Sequence, residues 1–151
     1  MAEKSEYDGL IVRKKDLKLI DCRSGGRRAD VAAPWIGSPV RTMQVFFREI
    51  PPGGKTGVHR HRNEAVIHIL SGHGYTTVED QRVDWEAGDT LCVPIWAWHD
   101  NVNSSDSEPA TFLAAINRPL MEALNIWAIE DPDPTAAKTY FRHREQNGEQ
   151  K

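Results

Sequence analysis

Between residues 40 and 117 the sequence consists of short strand-like segments separated by glycine, proline and acidic turns. The segments cover residues 43–50, 65–70, 75–78, 82–85, 90–93 and 110–116. Strands of this length and spacing are typical of a sandwich or barrel. Helical segments do not alternate with them, which argues against a parallel doubly wound sheet. The sequence therefore predicts an all-β domain.

The pattern divides the chain into three zones. Residues 1–39 are expected to form an N-terminal arm with edge strands at 10–12 and 17–20, a loop at 24–28, and an apolar patch around Trp35. Residues 40–117 form the predicted barrel. Residues 118–151 contain a predicted helix over 119–128 and a polar tail. With 151 residues and no internal repeat, the chain fits one barrel.

Charge and composition exclude several functional classes. The net charge is −3 with both signs scattered along the chain, so no basic stripe predicts nucleic-acid binding. The apolar runs are too short to cross a membrane, and the polar N-terminus lacks a secretion signal. Two cysteines, Cys22 and Cys92, do not make a disulfide framework. We expect a cytoplasmic protein, with Cys92 as a small buried apolar residue.

Three histidines are placed to hold a metal ion. His59 and His61 are separated by one residue, so on a strand both imidazoles point to the same side, while Arg60 points away. His99 follows the stiff aromatic turn Pro94–Trp98 and has a rigid support. Neutral imidazole is a common ligand for iron, zinc, copper and nickel. His59, His61 and His99 are the predicted metal ligands.

The spacing of these histidines resembles the two motifs of the cupin family. The first motif is matched by Gly53, five residues, His59-Arg60-His61 and, further on, Gly72; the second is matched by Gly88, five residues, Pro94, His99, three residues and Asn103. The resemblance implies a single-domain cupin, which is a double-stranded β-helix or jelly-roll barrel. It also implies one divalent metal ion in each chain.

Two positions depart from these motifs. The glutamate of the first motif falls at Ala65, and Glu64 is one residue away. A one-residue slip on a strand turns a side chain to the other face, so Glu64 is the less favoured ligand and a three-histidine site is expected. At the second departure, Trp96 replaces the glycine of the second motif.

With both departures, the sequence resembles one group of cupins, the gentisate and 1-hydroxy-2-naphthoate ring-cleaving dioxygenases. The segments that carry this likeness are 59–61, 94–100 and 117–124. Those enzymes are usually bicupins of about twice this length. The likeness implies an Fe(II) dioxygenase that acts on a hydroxylated aromatic acid or a diketone. Ile67 stands where those enzymes typically carry an arginine that is thought to help hold the substrate carboxylate.

Several other residues are candidates for substrate binding. An all-neutral ligand set leaves the metal its full charge and favours a substrate that binds as an anion. Ile67 would line the cavity beside the metal. Trp96 and Trp98 either flank an aromatic ring or brace the turn before His99, and Asp100 either orients an imidazole or is solvated. Gln44, Arg41 and Arg48 lie on the strand before the first motif. Gln44 could reach into the barrel and Arg41 could meet a carboxylate at its mouth, although each of the three is more often a surface residue.

Other functions are compatible with the same residues. A metal-dependent isomerase, lyase or decarboxylase would use the ion as a Lewis acid without oxygen. A binding module for a small acid would need no catalysis. Three histidines suit manganese, nickel, copper or zinc as well as iron. We also expect a homodimer or larger homo-oligomer, formed through the apolar residues around Trp35 and Trp127.

Overall fold

The computed structural model describes residues 9–22 and 24–132. Within these ranges it contains eleven β-strands, the α-helix α1 (Arg118–Ala123) and 3-10 helices at Lys14–Asp16 and Pro34–Ile36. The strands are β1 (Ile20–Asp21), β2 (Arg27–Ala32), β3 (Gln44–Ile50), β4 (Arg60–His61), β5 (Ala65–Ser71), β6 (His73–Val78), β7 (Gln81–Glu86), β8 (Thr90–Val93), β9 (His99–Asn103), β10 (Ala110–Ile116) and β11 (Ile129–Glu130). The prediction of an all-β fold is confirmed.

The strands form two layers with antiparallel pairing. One layer is a six-stranded sheet in the order β1-β2-β3-β10-β5-β8. The other contains the three-stranded sheet β7-β6-β9 and the pair β11-β4. Antiparallel bridges from Lys55 to Val102 and from His59 to His99 join the segment before β4 to β9. The predicted strand at 90–93 coincides with β8, and the predicted strands at 75–78 and 82–85 lie within β6 and β7, which pair as a hairpin.

The core lies between the layers because apolar residues alternate along the strands. On β5, Ala65, Ile67 and Ile69 are buried, and the residues between them face outward. β8 and β10 follow the same period and bury Leu91, Val93, Ala110, Phe112 and Ala114. Trp85 joins this cluster from β7. Burial of this apolar surface is the main force that holds the two sheets together.

Strand β3 breaks the apolar rule on its inner face. Gln44 is 0% exposed and Arg48 is 6% exposed, although both are polar. Polar groups are buried at a cost unless they make hydrogen bonds. Arg48 donates from Nη2 to Ser24 Oγ at 2.9 Å and to the carbonyl of Gly25. Polar residues at this depth mark the part of the interior where a site can form.

The ends of the chain differ from the predicted pattern. Residues 10–12 form no strand, because Leu10 and Ile11 are 65% exposed and have no sheet to pair with. Of the predicted strand at 17–20, only Ile20 belongs to a strand, β1. The predicted loop at 24–28 ends early, since Arg27 already belongs to β2.

The predicted helix over 119–128 is too long. Helix α1 ends at Ala123, and Asn125 adopts a left-handed φ of 59°, a common way to end a helix. Cys92 is exposed on the outer face of β8 rather than buried. The predicted polar tail lies outside the described residues from 133 onward. In the part of the chain that is described, no helix has the length and apolar character to cross a membrane.

Candidate metal centre

Three imidazoles converge on one point between the two layers. His61 lies on β4, His99 begins β9, and His59 pairs with His99 through backbone hydrogen bonds of 3.0 and 2.9 Å. Their candidate ligand nitrogens all lie within 4.8 Å of one another. The ring centroids are 4.4 Å apart for His59 and His99, and 4.7 Å apart for His61 and His99. One ion could contact all three rings.

The backbone fixes which ring nitrogen faces the common point. Nδ1 of His59 lies 2.8 Å from the carbonyl oxygen of Gly57. The same contact joins Nδ1 of His61 to Asn63 O at 2.8 Å and Nδ1 of His99 to Ala97 O at 2.9 Å. A carbonyl only accepts, so each Nδ1 donates and carries the proton. Each Nε2 therefore keeps its lone pair for a metal ion, the arrangement typical of histidine ligands.

Burial keeps the three rings neutral at pH 7. Removal from water lowers the pKa of His59 to about 4, and the nearby His61 and Arg48 add to this effect. Burial likewise lowers the pKa of His61 to about 4 and that of His99 to about 4. Metal binding requires neutral imidazole. These rings are already neutral at pH 7, so an ion can bind without first displacing a proton from them.

A cavity of about 140 Å³ adjoins the histidines. Its apolar wall comes from β5 and β10, and its polar wall includes Gln44, Thr56, Asn63 and Asn101. Three arginines also line it, and in the described part of the chain Asp131 is the only acidic residue that does so. The arginines are Arg28 on β2, Arg48 on β3 and Arg118 on α1. Arginines therefore outnumber acidic residues in the cavity lining, although Arg28 lies 3.7 Å from Asp30 Oδ1 and Arg118 lies 2.8 Å from Glu122 Oε1.

Arg28 and Arg118 are the part of the site that sequence reasoning left out, whereas Arg48 was considered with Gln44 and Arg41. Arg48 lies four residues after Gln44 on the same strand, so the two share a face. That phase was a usable signal, because a strand that sends one polar side chain inward sends the other inward too. Arg28 and Arg118 carry no such signal, since only the folded chain brings β2 and α1 to the same cavity.

The structure separates the predicted site residues into two groups. Gln44 and Ile67 line the cavity together with the three histidines. Glu64 is exposed and accepts a hydrogen bond from Asn117 Nδ2 at 3.2 Å, so it points away from the histidines. The remaining four are absent from the described cavity lining. Arg41 donates to the carbonyl of Ser38 at 2.8 Å, and the others are Trp96, Trp98 and Asp100.

Asp100 acts on the histidines through its charge. It is buried, and its Oδ1 accepts a hydrogen bond from the backbone N–H of Thr77 at 3.3 Å. Its negative charge raises the pKa of His59 and of His99, which partly opposes the effect of burial. A carboxylate at this place strengthens the attraction of the site for a cation.

Trp96 stands in a conformation that favours glycine. Its φ is 64°, in the left-handed region, which costs a residue with a Cβ atom about 1–2 kcal/mol. Its backbone N–H donates to the carbonyl of His61 at 2.9 Å, so the turn is tied to the strand that carries a metal ligand. Backbone strain of this kind is often found at functional sites.

Residues 46–116, which include the three histidines, match the family profile of the cupin domain. This chain carries a cupin domain. The predicted family and the jelly-roll barrel are therefore confirmed. A solved cupin-2 domain protein from Rhodospirillum rubrum has the same fold, with a TM-score of 0.65 at 20% identity, over 87% of this chain and 85% of the other.

The chain is also similar to curated ring-cleaving dioxygenases. It is 28% identical over 128 residues to 1-hydroxy-2-naphthoate 1,2-dioxygenase from Nocardioides sp. strain KP7, over 84% of this chain and 28% of that protein. It is 36% identical over 81 residues to gentisate 1,2-dioxygenase 1 from Aquipseudomonas alcaligenes, over 53% of this chain and 23% of that protein. The chain thus spans less than a third of either relative.

Proposed function

We propose that this protein binds one divalent metal ion through Nε2 of His59, His61 and His99, and that with Fe(II) it opens the ring of a small hydroxylated aromatic acid. The observation that carries the proposal is the convergence of three backbone-anchored imidazoles on an arginine-lined cavity. The similarity to gentisate and hydroxynaphthoate dioxygenases supports the same reaction class. The buried His61 and His99 and the half-buried His59 would be neutral when the ion binds, and the charge of Asp100 would add to the attraction of the site for a cation.

The charge of the cavity favours an anionic substrate. Arg28, Arg48 and Arg118 line the cavity, and guanidinium groups bind carboxylates through charged and often bidentate hydrogen bonds. A substrate carboxylate would share Arg28 with Asp30 and Arg118 with Glu122, which pair with them at 3.7 and 2.8 Å. Three neutral ligands also leave the double charge of the metal uncompensated. A substrate that carries a carboxylate and an ionisable hydroxyl group would match both parts of the cavity. The arginines would then replace the one that is missing at Ile67.

The size of the cavity favours a single ring. An engineered cavity of about 150 Å³ binds benzene, and this cavity measures about 140 Å³. Ile67, Phe112 and Ala114 offer an apolar wall against which a ring can lie. We therefore propose gentisate-like monocyclic acids as the substrate class, ahead of the two-ring hydroxynaphthoates.

Gln44 is suited to hold a hydroxyl group of the ligand. Its amide nitrogen donates to Asp30 Oδ1 at 2.8 Å, which fixes the orientation of the amide. Its Oε1 is buried and has no hydrogen-bond partner among the described residues. An acceptor left in that state destabilises the protein, and a donor on a bound ligand would satisfy it.

When bound, Fe(II) would supply the activation of dioxygen and hold the substrate oxygens beside it. The side chains of the protein would supply the remaining functions of the site. The histidines would leave part of the coordination sphere open, the arginines would fix the carboxylate, and the apolar wall would exclude water. The balanced reaction consumes one dioxygen for each substrate, and both oxygen atoms enter the opened product.

Oxygen consumption by anaerobically iron-loaded protein tests this proposal. The panel contains gentisate, salicylate, 1-hydroxy-2-naphthoate, catechol and a β-diketone. Hydroquinone is the matched control, because it is gentisate without the carboxylate. We expect uptake with a monocyclic acid at one oxygen for each substrate. We also expect hydroquinone to react about 10- to 100-fold less efficiently, since a hydrogen bond to a charged group is worth about 1.5–3 kcal/mol.

Two results would contradict the proposal. Equal rates with gentisate and hydroquinone would show that the arginines do not select a carboxylate. No uptake with any compound, with iron confirmed in the protein, would favour an oxygen-independent isomerase, lyase or decarboxylase, or a binding role. The variant His68→Ala controls for effects of histidine substitution and purification that do not involve the metal site, because His68 is exposed on the outer face of β5.

We further propose that the protein is cytoplasmic and forms a homodimer or larger homo-oligomer. Trp35 and Ile36 support the second point, since they are 48% and 41% exposed in the N-terminal arm. Apolar side chains of this size on a surface often mark contacts between subunits. Sedimentation at micromolar concentration is expected to give at least a dimer, and a monomer would contradict it.

A further inference from the structure

Arg60 lies between two of the predicted ligands but on the opposite side of the strand. Its guanidinium carbon lies 4.6 Å from the ring centroid of Trp96 and 4.5 Å from that of Trp98. Its Nε donates to Glu130 Oε2 at 2.7 Å, and Nη2 lies 2.6 Å from the same oxygen. One side chain therefore contacts two indole rings and a carboxylate at once.

These contacts join three segments that meet at the metal centre. Arg60 belongs to β4, next to His61, and Glu130 belongs to β11, which pairs with β4. Trp96 and Trp98 belong to the turn that ends at His99. The backbone of this turn is also held from the far side, because Trp98 N–H donates to Glu79 Oε1 at 2.9 Å and Glu79 N–H donates to Trp98 O at 2.8 Å.

The turn needs such support because Trp96 has a φ of 64°. A tryptophan in this region would relax toward negative φ if nothing held it, and the segment that leads to His99 would move with it. A flat guanidinium stacked on both indoles opposes that movement. The carboxylate of Glu130 in turn holds the guanidinium in place.

We propose that Arg60 is a positioning residue for the metal centre, which sets the place of His99 relative to His59 and His61 from outside the barrel. The inference rests on the proposed three-histidine metal site, but it does not depend on the reaction. A merely structural arginine would change the stability of the fold and leave the metal affinity of the folded protein unaltered.

The chain offers a matched control for that distinction. Arg82 also stacks on an aromatic ring, since its guanidinium carbon lies 3.8 Å from the centroid of Tyr75. It also pairs with a carboxylate, Asp84 Oδ1, at 2.7 Å. These residues lie on the β6–β7 hairpin, which carries none of the three proposed ligands. Arg82→Ala thus removes the same kind of contact away from the proposed ligands.

The test is calorimetric titration of the metal-free protein with Co²⁺, together with the visible absorption spectrum of the bound cobalt. We expect Arg60→Ala to lower the Co²⁺ affinity at least about tenfold and to change the spectrum, by analogy with residues that orient metal ligands. Arg82→Ala should stay within about twofold of the parent protein. Arg60→Lys keeps the charge but not the planar stacking, so its affinity should fall between them.

A second variant tests the link through Trp96. Glycine adopts a φ of 64° without strain, so adding Trp96→Gly to Arg60→Ala should recover part of the lost Co²⁺ affinity. Thermal unfolding of each metal-free variant shows that the compared proteins are folded. If Arg60→Ala does not fold, Arg60→Lys decides, and an unchanged affinity and spectrum in that variant overturn the proposal.

Other results are equally decisive. Unchanged affinity and spectrum in Arg60→Ala overturn the proposed role of Arg60, as does an equal loss of affinity in Arg82→Ala. A parent protein that binds no cobalt would instead overturn the metal centre itself. Cobalt binding that depends on Arg60, without oxygen uptake by the iron-loaded protein, would support the role of Arg60 and count against the dioxygenase.

Discussion

Replacing His99 by alanine is expected to abolish stoichiometric binding of a divalent metal ion. His99 supplies one of three Nε2 atoms, and its Nδ1 is held by the carbonyl of Ala97 at 2.9 Å. Changing a residue that only orients a ligand costs about 10- to 100-fold in metal affinity, so loss of a ligand should cost at least about a hundredfold. Titration with Co²⁺ and the metal content after iron loading would measure the effect.

Two variants serve as controls for that experiment. Glu64→Ala should keep the metal, because Glu64 is exposed and bonded to Asn117. His68→Ala should also keep it, since His68 faces outward and contacts Thr90 Oγ1 at 3.0 Å. If Glu64→Ala lost the metal while His99→Ala kept it, the assignment of the strand faces around His61 would be wrong.

Replacing Gly74 by alanine is expected to lower the free energy of unfolding by about 3 kcal/mol, at the upper end of what overpacking costs. Gly74 is buried on β6 between β7 and β9. A Cβ atom there would collide with the carbonyl oxygen of Val102 and lie 2.6 Å from Cη2 of Trp85. Neither neighbour can retreat, because Val102 is in β9 and the Trp85 indole donates to Thr76 Oγ1 at 3.0 Å.

Urea denaturation of the metal-free protein would measure this loss as a shift of the midpoint. Gly57→Ala is the matched control. A Cβ atom at Gly57 would meet no atom within 4 Å, so the free energy of unfolding should change by no more than about 0.5 kcal/mol. Equal effects of the two substitutions would mean that β6 and β9 are not packed as closely as described.

Much of the barrel follows from local patterns. The strands at 65–70, 90–93 and 110–116 were predicted because each is a short apolar run bounded by turn residues. Strand β9 (His99–Asn103) was missed, since its side chains are mostly polar. They are buried because other segments satisfy them: Thr76 Oγ1 donates to Asn101 Oδ1 at 2.8 Å, and Asn103 Nδ2 donates to Ile50 O at 3.1 Å.

Misplaced elements have the same kind of cause. Residues 10–12 are apolar enough for a strand, but a strand needs a neighbour, and none of the sheets reaches them. The helical period of apolar residues continues to Trp127, but helix α1 ends at Ala123. It ends there because the Trp127 indole donates to Asn63 Oδ1 at 3.1 Å, beside the metal centre. Both outcomes depend on contacts with segments that are far away in sequence.

The histidine set and its phase could be read from local residue order, because alternation along a strand is a property of neighbouring residues. His59 and His61 had to share a face, and Glu64 had to leave it. The surroundings of the three rings, by contrast, follow from the folded arrangement of the chain. Arg28, Arg48 and Arg118 come from β2, β3 and α1, and Arg60 meets Trp96 and Trp98 across more than thirty positions of chain. Such contacts depend on how the sheets pack, which no local pattern of residues specifies.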